Sequence, residues 1–116
     1  MKRLLLLLAL TGCTPDEYTW GNTSNQLAQI FCHGADYCGY LAPEDVGPCI
    51  EHTAWHLCEP DHTCDVSLDQ DSTEALLTTC DTAVGGLDQD GCYLLGFWGF
   101  MPTECGPAFD LRPEAR

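Results

Sequence analysis

The side chains best able to do chemistry in this chain are its histidines and acids. His52 and His56 stand four residues apart, Glu59 follows three later, and His62 lies beyond Pro60. On a helix this spacing puts both imidazoles on one face, turned away from Ile50, Ala54 and Leu57. A pair of that kind can hold Zn²⁺, Cu²⁺ or Ni²⁺, with Glu59 as a further donor. A hydrolytic zinc helix also needs a glutamate directly after its first histidine, and here that residue is Thr53. His52, His56 and Glu59 therefore form a metal-ligand candidate without a catalytic base; the alternative is a solvated helix surface. The run Asp65-Val66-Ser67-Leu68-Asp69-Gln70-Asp71 alternates oxygen donors like the start of a calcium loop. Gln70 stands where such a loop requires glycine, and Leu76 where it requires its closing glutamate. Asp88-Gln89-Asp90-Gly91 fits the middle of such a loop, but the first ligand position falls on Gly86. No serine elbow or glycine-rich phosphate loop occurs. His33 adjoins Cys32, but neighbours on a helix diverge. The expectation is a protein without enzymatic activity and without a cofactor.

How the nine cysteines are read depends on the compartment, which the N-terminus indicates. Lys2 and Arg3 form a positive head, residues 4–10 an apolar run, and Thr11, Gly12 and Cys13 a small-residue exit. That is the layout of an export signal. The run is far short of the ~20 apolar residues that span a bilayer. Leu10-Thr11-Gly12-Cys13 resembles the lipobox of bacterial lipoproteins. The resemblance implies a signal peptide over 1–12, removal of that peptide, and lipid attachment at Cys13. A diacylglyceryl cysteine carries two chains, enough for stable anchoring. Thr14 follows where an aspartate often retains such proteins in the inner membrane. The expected location is the outer membrane of the cell envelope, facing the periplasm or the surface.

In an exported chain of this size an even number of cysteines reads as a disulfide framework. The eight beyond Cys13 are Cys32, Cys38, Cys49, Cys58, Cys64, Cys80, Cys92 and Cys105. No CxxC pair occurs, so zinc-ribbon and thioredoxin-type chemistry lack their signatures. A domain this small buries only about 60–65% of its unfolded surface, and cross-links supplement its core.

Charge excludes further classes. The chain carries four basic residues against eighteen acidic ones. Lys2 and Arg3 leave with the signal, and Arg112 and Arg116 lie at the end. Nucleic acid and anionic headgroups are bound through clustered Lys and Arg, which the domain lacks. The expected partners are the membrane, through the lipid on Cys13, and an envelope protein.

Residues 13–22 read as a lipidated tether, 23–109 as the folded domain, and 110–116 as a frayed tail. Thr23 or Ser24 can cap a first helix. Leu27, Ile30, Phe31, Gly34, Cys38 and Leu41 fall at helical spacing, and Gly39 and Pro43 mark the end. A short turn at Pro43 leads to a second helix with Pro48 near its start, running to Leu57. Asp71 or Ser72 caps a third, whose apolar face is Leu76, Cys80, Ala83, Val84 and Leu87, and Gly85-Gly86 ends it with a left-handed cap. A short fourth helix spans 91–98, ended by Pro102. Leu68-Asp69-Gln70-Asp71 recurs as Leu87-Asp88-Gln89-Asp90, and both copies read as capping turns. Strand signals are weak. The fold class is all-α: about three helices plus a short fourth, hairpin-like and stapled by disulfides.

About a hundred pairings of eight cysteines are possible. Placing the first two helices antiparallel about residue 43 sets Cys38 opposite Cys49 and Cys32 opposite Cys58. That nesting resembles twin-cysteine helical hairpins. The same logic gives Cys80–Cys92 and Cys64–Cys105 in the second half, with Cys92–Cys105 nearly equivalent.

Residues 93–101 carry four aromatics, two leucines and a methionine without a charge. The first three helices already supply a small core. Tyr93, Phe97, Trp98, Phe100 and Met101 are therefore the candidate partner patch, with Trp98 or Phe100 at least partly exposed and Asp88, Asp90 and Glu104 as its rim. The alternative is that they complete the core of the second half. As a whole the chain resembles the short, acidic, cysteine-rich lipoproteins of Gram-negative bacteria. That resemblance implies a localisation and a class, and no activity.

Overall fold

The computed structural model describes residues 17–115; the signal segment 1–12 and Cys13 lie outside them. The fold is all-α and disulfide-stapled, in the order α1 (Trp20–Tyr37), α2 (Val46–Cys58), α3 (Gln70–Gly85), α4 (Gln89–Gly96) and the single turn α5 (Gly106–Phe109). One-turn 3-10 helices at Pro43–Asp45 and Thr103–Cys105 lead into α2 and α5.

Helix α1 begins earlier than its sequence suggests. Thr19 is the N-cap and forms a capping box with Asn22. Its hydroxyl accepts from the Asn22 N–H at 3.3 Å, and the Asn22 side chain accepts from the Thr19 N–H at 2.8 Å. The next two N–H groups, on Trp20 and Gly21, have no partner within the helix. They donate instead to the Val66 and Cys64 carbonyls, both at 2.8 Å. A loop distant in sequence thus caps the helix. The Tyr18 carbonyl in turn accepts from Leu68 N–H, which adds Thr19 and Ser67 as an isolated antiparallel bridge. Trp20 is fully buried, and its indole N–H donates to the Leu57 carbonyl at 3.0 Å. The expected tether over 13–22 is therefore corrected: from Tyr18 onward it belongs to the fold.

At its other end α1 stops as expected at Gly39, which adopts φ +84°. Gly39 N–H donates to Asp36 and Tyr40 N–H to Ala35, both at 2.9 Å. This doubly bonded left-handed cap satisfies two terminal carbonyls of α1.

The core is centred on Trp20, Leu27, Leu77, Cys80, Val84, Cys105 and Ala108. On α3 the buried face is Thr73, Leu77, Cys80 and Val84; Cys80 and Val84 point inward as expected, and Leu76 and Leu87 pack half-buried at its edge. A side chain on Gly34 would collide with Val84 of α3 and press on Leu95 of α4. Its absence lets both helices close onto α1. The expected frayed tail is also tied down. Leu111 packs against the core, and the Arg112 guanidinium lies 2.8 Å from the Asp61 carboxylate and also donates to the His56 carbonyl.

All eight described cysteines are paired, as Cys32–Cys49, Cys38–Cys92, Cys58–Cys64 and Cys80–Cys105. The nested pairs Cys38–Cys49 and Cys32–Cys58 are thereby corrected, as are Cys80–Cys92, Cys64–Cys105 and Cys92–Cys105. The first error is one of register. α1 ends at Tyr37 and α2 starts at Val46, so the hairpin pivots between Leu41 and Ala42. That shift brings Cys49 opposite Cys32. Cys38, in the cap of α1, is left facing α4. Cys58 then closes the short loop to Cys64, in which His62 adopts φ +57°.

Candidate functional site

Two copies of one tetrapeptide start the last two long helices. Asp69 accepts from Ser72 N–H at 2.9 Å, and Asp88 accepts from Gly91 N–H at 2.8 Å. Both are N-caps, as the repeated Leu-Asp-Gln-Asp implies. The bonds from Ser72, the backbone N–H first, hold the Asp69 carboxyl below the usual aspartate range.

Helix α4 starts two residues before the expected Gly91 and ends before Trp98. Its single buried residue, Leu95, faces inward, and Cys92 one turn earlier is bridged to Cys38. Tyr93, Leu94 and Phe97 are left on the outer side. Gly99 adopts φ +75° and turns the chain, so that Phe100 N–H folds back to the Leu94 carbonyl at 2.9 Å. The left-handed glycine thus lies at Gly99. Gly86, where one was expected, has φ −109°. Pro102 follows after the helix has already ended.

The outcome is a ladder of four exposed rings. Tyr93 and Phe97 stack at 5.3 Å between centroids, Trp98 meets Phe97 edge-on at 5.2 Å, and Phe100 stacks on Trp98 at 6.5 Å. Phe97, Trp98 and Phe100 are 61%, 56% and 61% exposed. Met101 differs: it is half-buried against the core and is not part of the outer face. Aromatic pairs of this geometry attract one another, weakly where the rings stay in water, so the rings bias one another's positions.

Tyr40, just past the end of α1, packs on α4. The Tyr40 ring lies against Gly96 so closely that a β-carbon there would fall 2.3 Å from it. Beside it is a groove of about 630 Å³ lined by Tyr37, Tyr40, Leu87, Asp88, Gln89 and Cys92. Tyr37 and Tyr40 escaped the sequence reading because they lie far from the 93–101 run. The Cys38–Cys92 bridge, with Leu95 packed over Gly34 and Tyr40 over Gly96, brings the two stretches together.

The other candidates sit elsewhere. His52 and His56 are exposed on α2 with ring centroids 4.4 Å apart, and Trp55 lies edge-on to His56 at 5.0 Å. Among the described residues no three His, Cys, Asp or Glu converge as a metal site, so Glu59 does not complete the pair. Asp69 of the calcium-like run is occupied as a helix cap. A second groove, of about 550 Å³, lies between α1 and α3, lined by Gln26, Gln29, His33 and Glu74 together with Ile30 and Leu77. Among the described residues no helix is long and apolar enough to cross a membrane. No protein-family model matches the chain, and no curated protein or solved structure matches it.

Proposed function

We propose that this chain is a lipid-anchored lipoprotein of the bacterial cell envelope, residing in the outer membrane, and that it is a non-enzymatic interaction module. Its working surface is the aromatic face of α4 and the turn after it. One observation carries the reading: Tyr93, Phe97, Trp98 and Phe100 form a continuous exposed ring ladder. Rims and isolated apolar side chains are common on protein surfaces, whereas a contiguous aromatic face marks a contact site. The anchor rests on the lipobox-like Leu10-Thr11-Gly12-Cys13 after a charged head and apolar run.

Fractionation of cells expressing the full chain tests the anchor. Lys2 is the only lysine, so a processed, N-acylated chain has no primary amine. The expected result is a membrane-bound product that an amine-reactive dye does not label, and a Cys13→Ser product that retains the Lys2 label. A soluble wild-type chain still labelled at Lys2 would overturn the anchor.

A further inference from the structure

We infer that the aromatic face takes a cationic amphipathic protein segment, with apolar side chains against the rings and Lys or Arg around them. The inference rests on the reading of that face as the working surface. Charge supports it first. Among the described residues Arg112 is the only Lys or Arg, and it is paired with Asp61 in the tail, apart from the rings. Asp90 lies one turn before Tyr93 and Leu94 and two before Phe97, on the same side of α4. Asp88 lines the groove that also holds Tyr37 and Tyr40, and exposed Glu104 stands four residues after Phe100 in the chain. An apolar centre with a single-sign rim selects a partner of opposite charge and repels like-charged surfaces.

The same charge argues against two other occupants. A second copy of this chain would bring another strongly acidic rim against the first, since the formal charge is −14. An anionic bilayer surface is repelled likewise. Geometry also separates the patch from the proposed anchor. Four residue steps from Cys13 to Glu17 reach at most ~14 Å. Helix α1, with 18 residues, then runs ~27 Å from that end to the cap that carries Tyr40. The rings therefore lie at the end of α1 remote from the lipid.

The test uses the full chain with its disulfides intact, titrated with amphipathic helical peptides of Leu with Lys, Leu with Gln, or Leu with Glu, and separately with zwitterionic vesicles. The Leu–Lys peptide is expected to bind about tenfold or more tightly than the Leu–Glu peptide. Trp98→Ala should weaken it about tenfold while lowering the melting temperature by no more than a few degrees. Asp90→Asn combined with Glu104→Gln should weaken it about threefold and flatten its salt dependence, while Glu51→Gln on α2 leaves it unchanged. Equal binding of all three peptides, or no binding of any, overturns the cationic partner. Vesicle binding that Trp98→Ala abolishes, without peptide selectivity, would make the partner a bilayer; the aromatic face would then stand and the partner class fall. Leu–Lys binding untouched by Trp98→Ala would sink the aromatic face itself.

Discussion

The ring of Tyr40 lies against the backbone of Gly96, joining the cap of α1 to the last residue of α4. The nearest ring-side atoms are those closest to the Tyr40 main chain, which cannot swing aside independently of the cap. Gly96→Ala should therefore displace Tyr40 and lower stability by ~1–3 kcal/mol, the usual cost of overpacking. Gly85, also a last helical residue, has open space around it. Gly85→Ala should be neutral or raise stability by up to ~1 kcal/mol, through helix propensity. Thermal melts of the two variants, disulfides intact, check the contrast.

Two tryptophans separate core from surface. Trp20 is fully buried and donates to Leu57, whereas Trp98 is more than half exposed. Trp20→Ala should cost ~3–5 kcal/mol. Trp98→Ala should stay within about 1 kcal/mol of wild type. Urea unfolding followed by far-UV circular dichroism measures both.

Much of this was legible locally and little of it at long range. The repeated Leu-Asp-Gln-Asp could be read as two capping turns because a cap needs only the next three residues. The cap of α3 is nonetheless Asp69 and not the expected Asp71 or Ser72, since the helix starts at Gln70. The Gly39 stop and the exposure of Trp98 or Phe100 followed from spacing and from the limited capacity of a small core. The Thr19–Asn22 box that starts α1 is equally local, but it carries Asn where such a box usually has Glu or Gln. The long-range part, the Cys64 and Val66 carbonyls that satisfy the next two N–H groups, lies over forty residues away. The disulfide count followed from parity. The pairing depended on where the α1–α2 hairpin pivots and on α4 docking against the cap of α1, neither of which local pattern encodes.

Cys38–Cys92 is the covalent tie between α1 and the helix that carries the rings. Replacing both by serine should cost ~2–4 kcal/mol and free α4 preferentially. Hydrogen exchange should then quicken across 89–100 and remain slow in the α1–α3 core. Mass mapping of the oxidised wild type after cleavage at acidic residues should recover the four pairs reported above. Recovery of Cys38–Cys49 would contradict the register of the hairpin.

Asp69 gives a pH dependence. Its carboxyl is held below the usual aspartate range by the bonds from Ser72, so folding favours the ionised form. The stabilising contribution is fully present above the unfolded-state pKa and is lost as pH falls through the lower folded value. Asp69→Asn should retain a cap while removing that acid dependence, and Asp69→Ala should lose the cap at every pH. Melting temperatures from neutral pH down to about 2, compared across the three proteins, show whether the dependence belongs to this residue.

The central claim is that the ring ladder is where this protein meets its partner, and site-directed photocross-linking in intact cells tests it most directly. A photoreactive phenylalanine analogue is placed at Phe97 or Phe100 of the full chain, and in parallel at Gln29 in the groove between α1 and α3. The account predicts a discrete cross-linked protein from positions 97 and 100, none from 29, and loss of the product when Trp98→Ala is added. Absence of any product from the ladder, equal yield from Gln29, or a product indifferent to Trp98→Ala would contradict it.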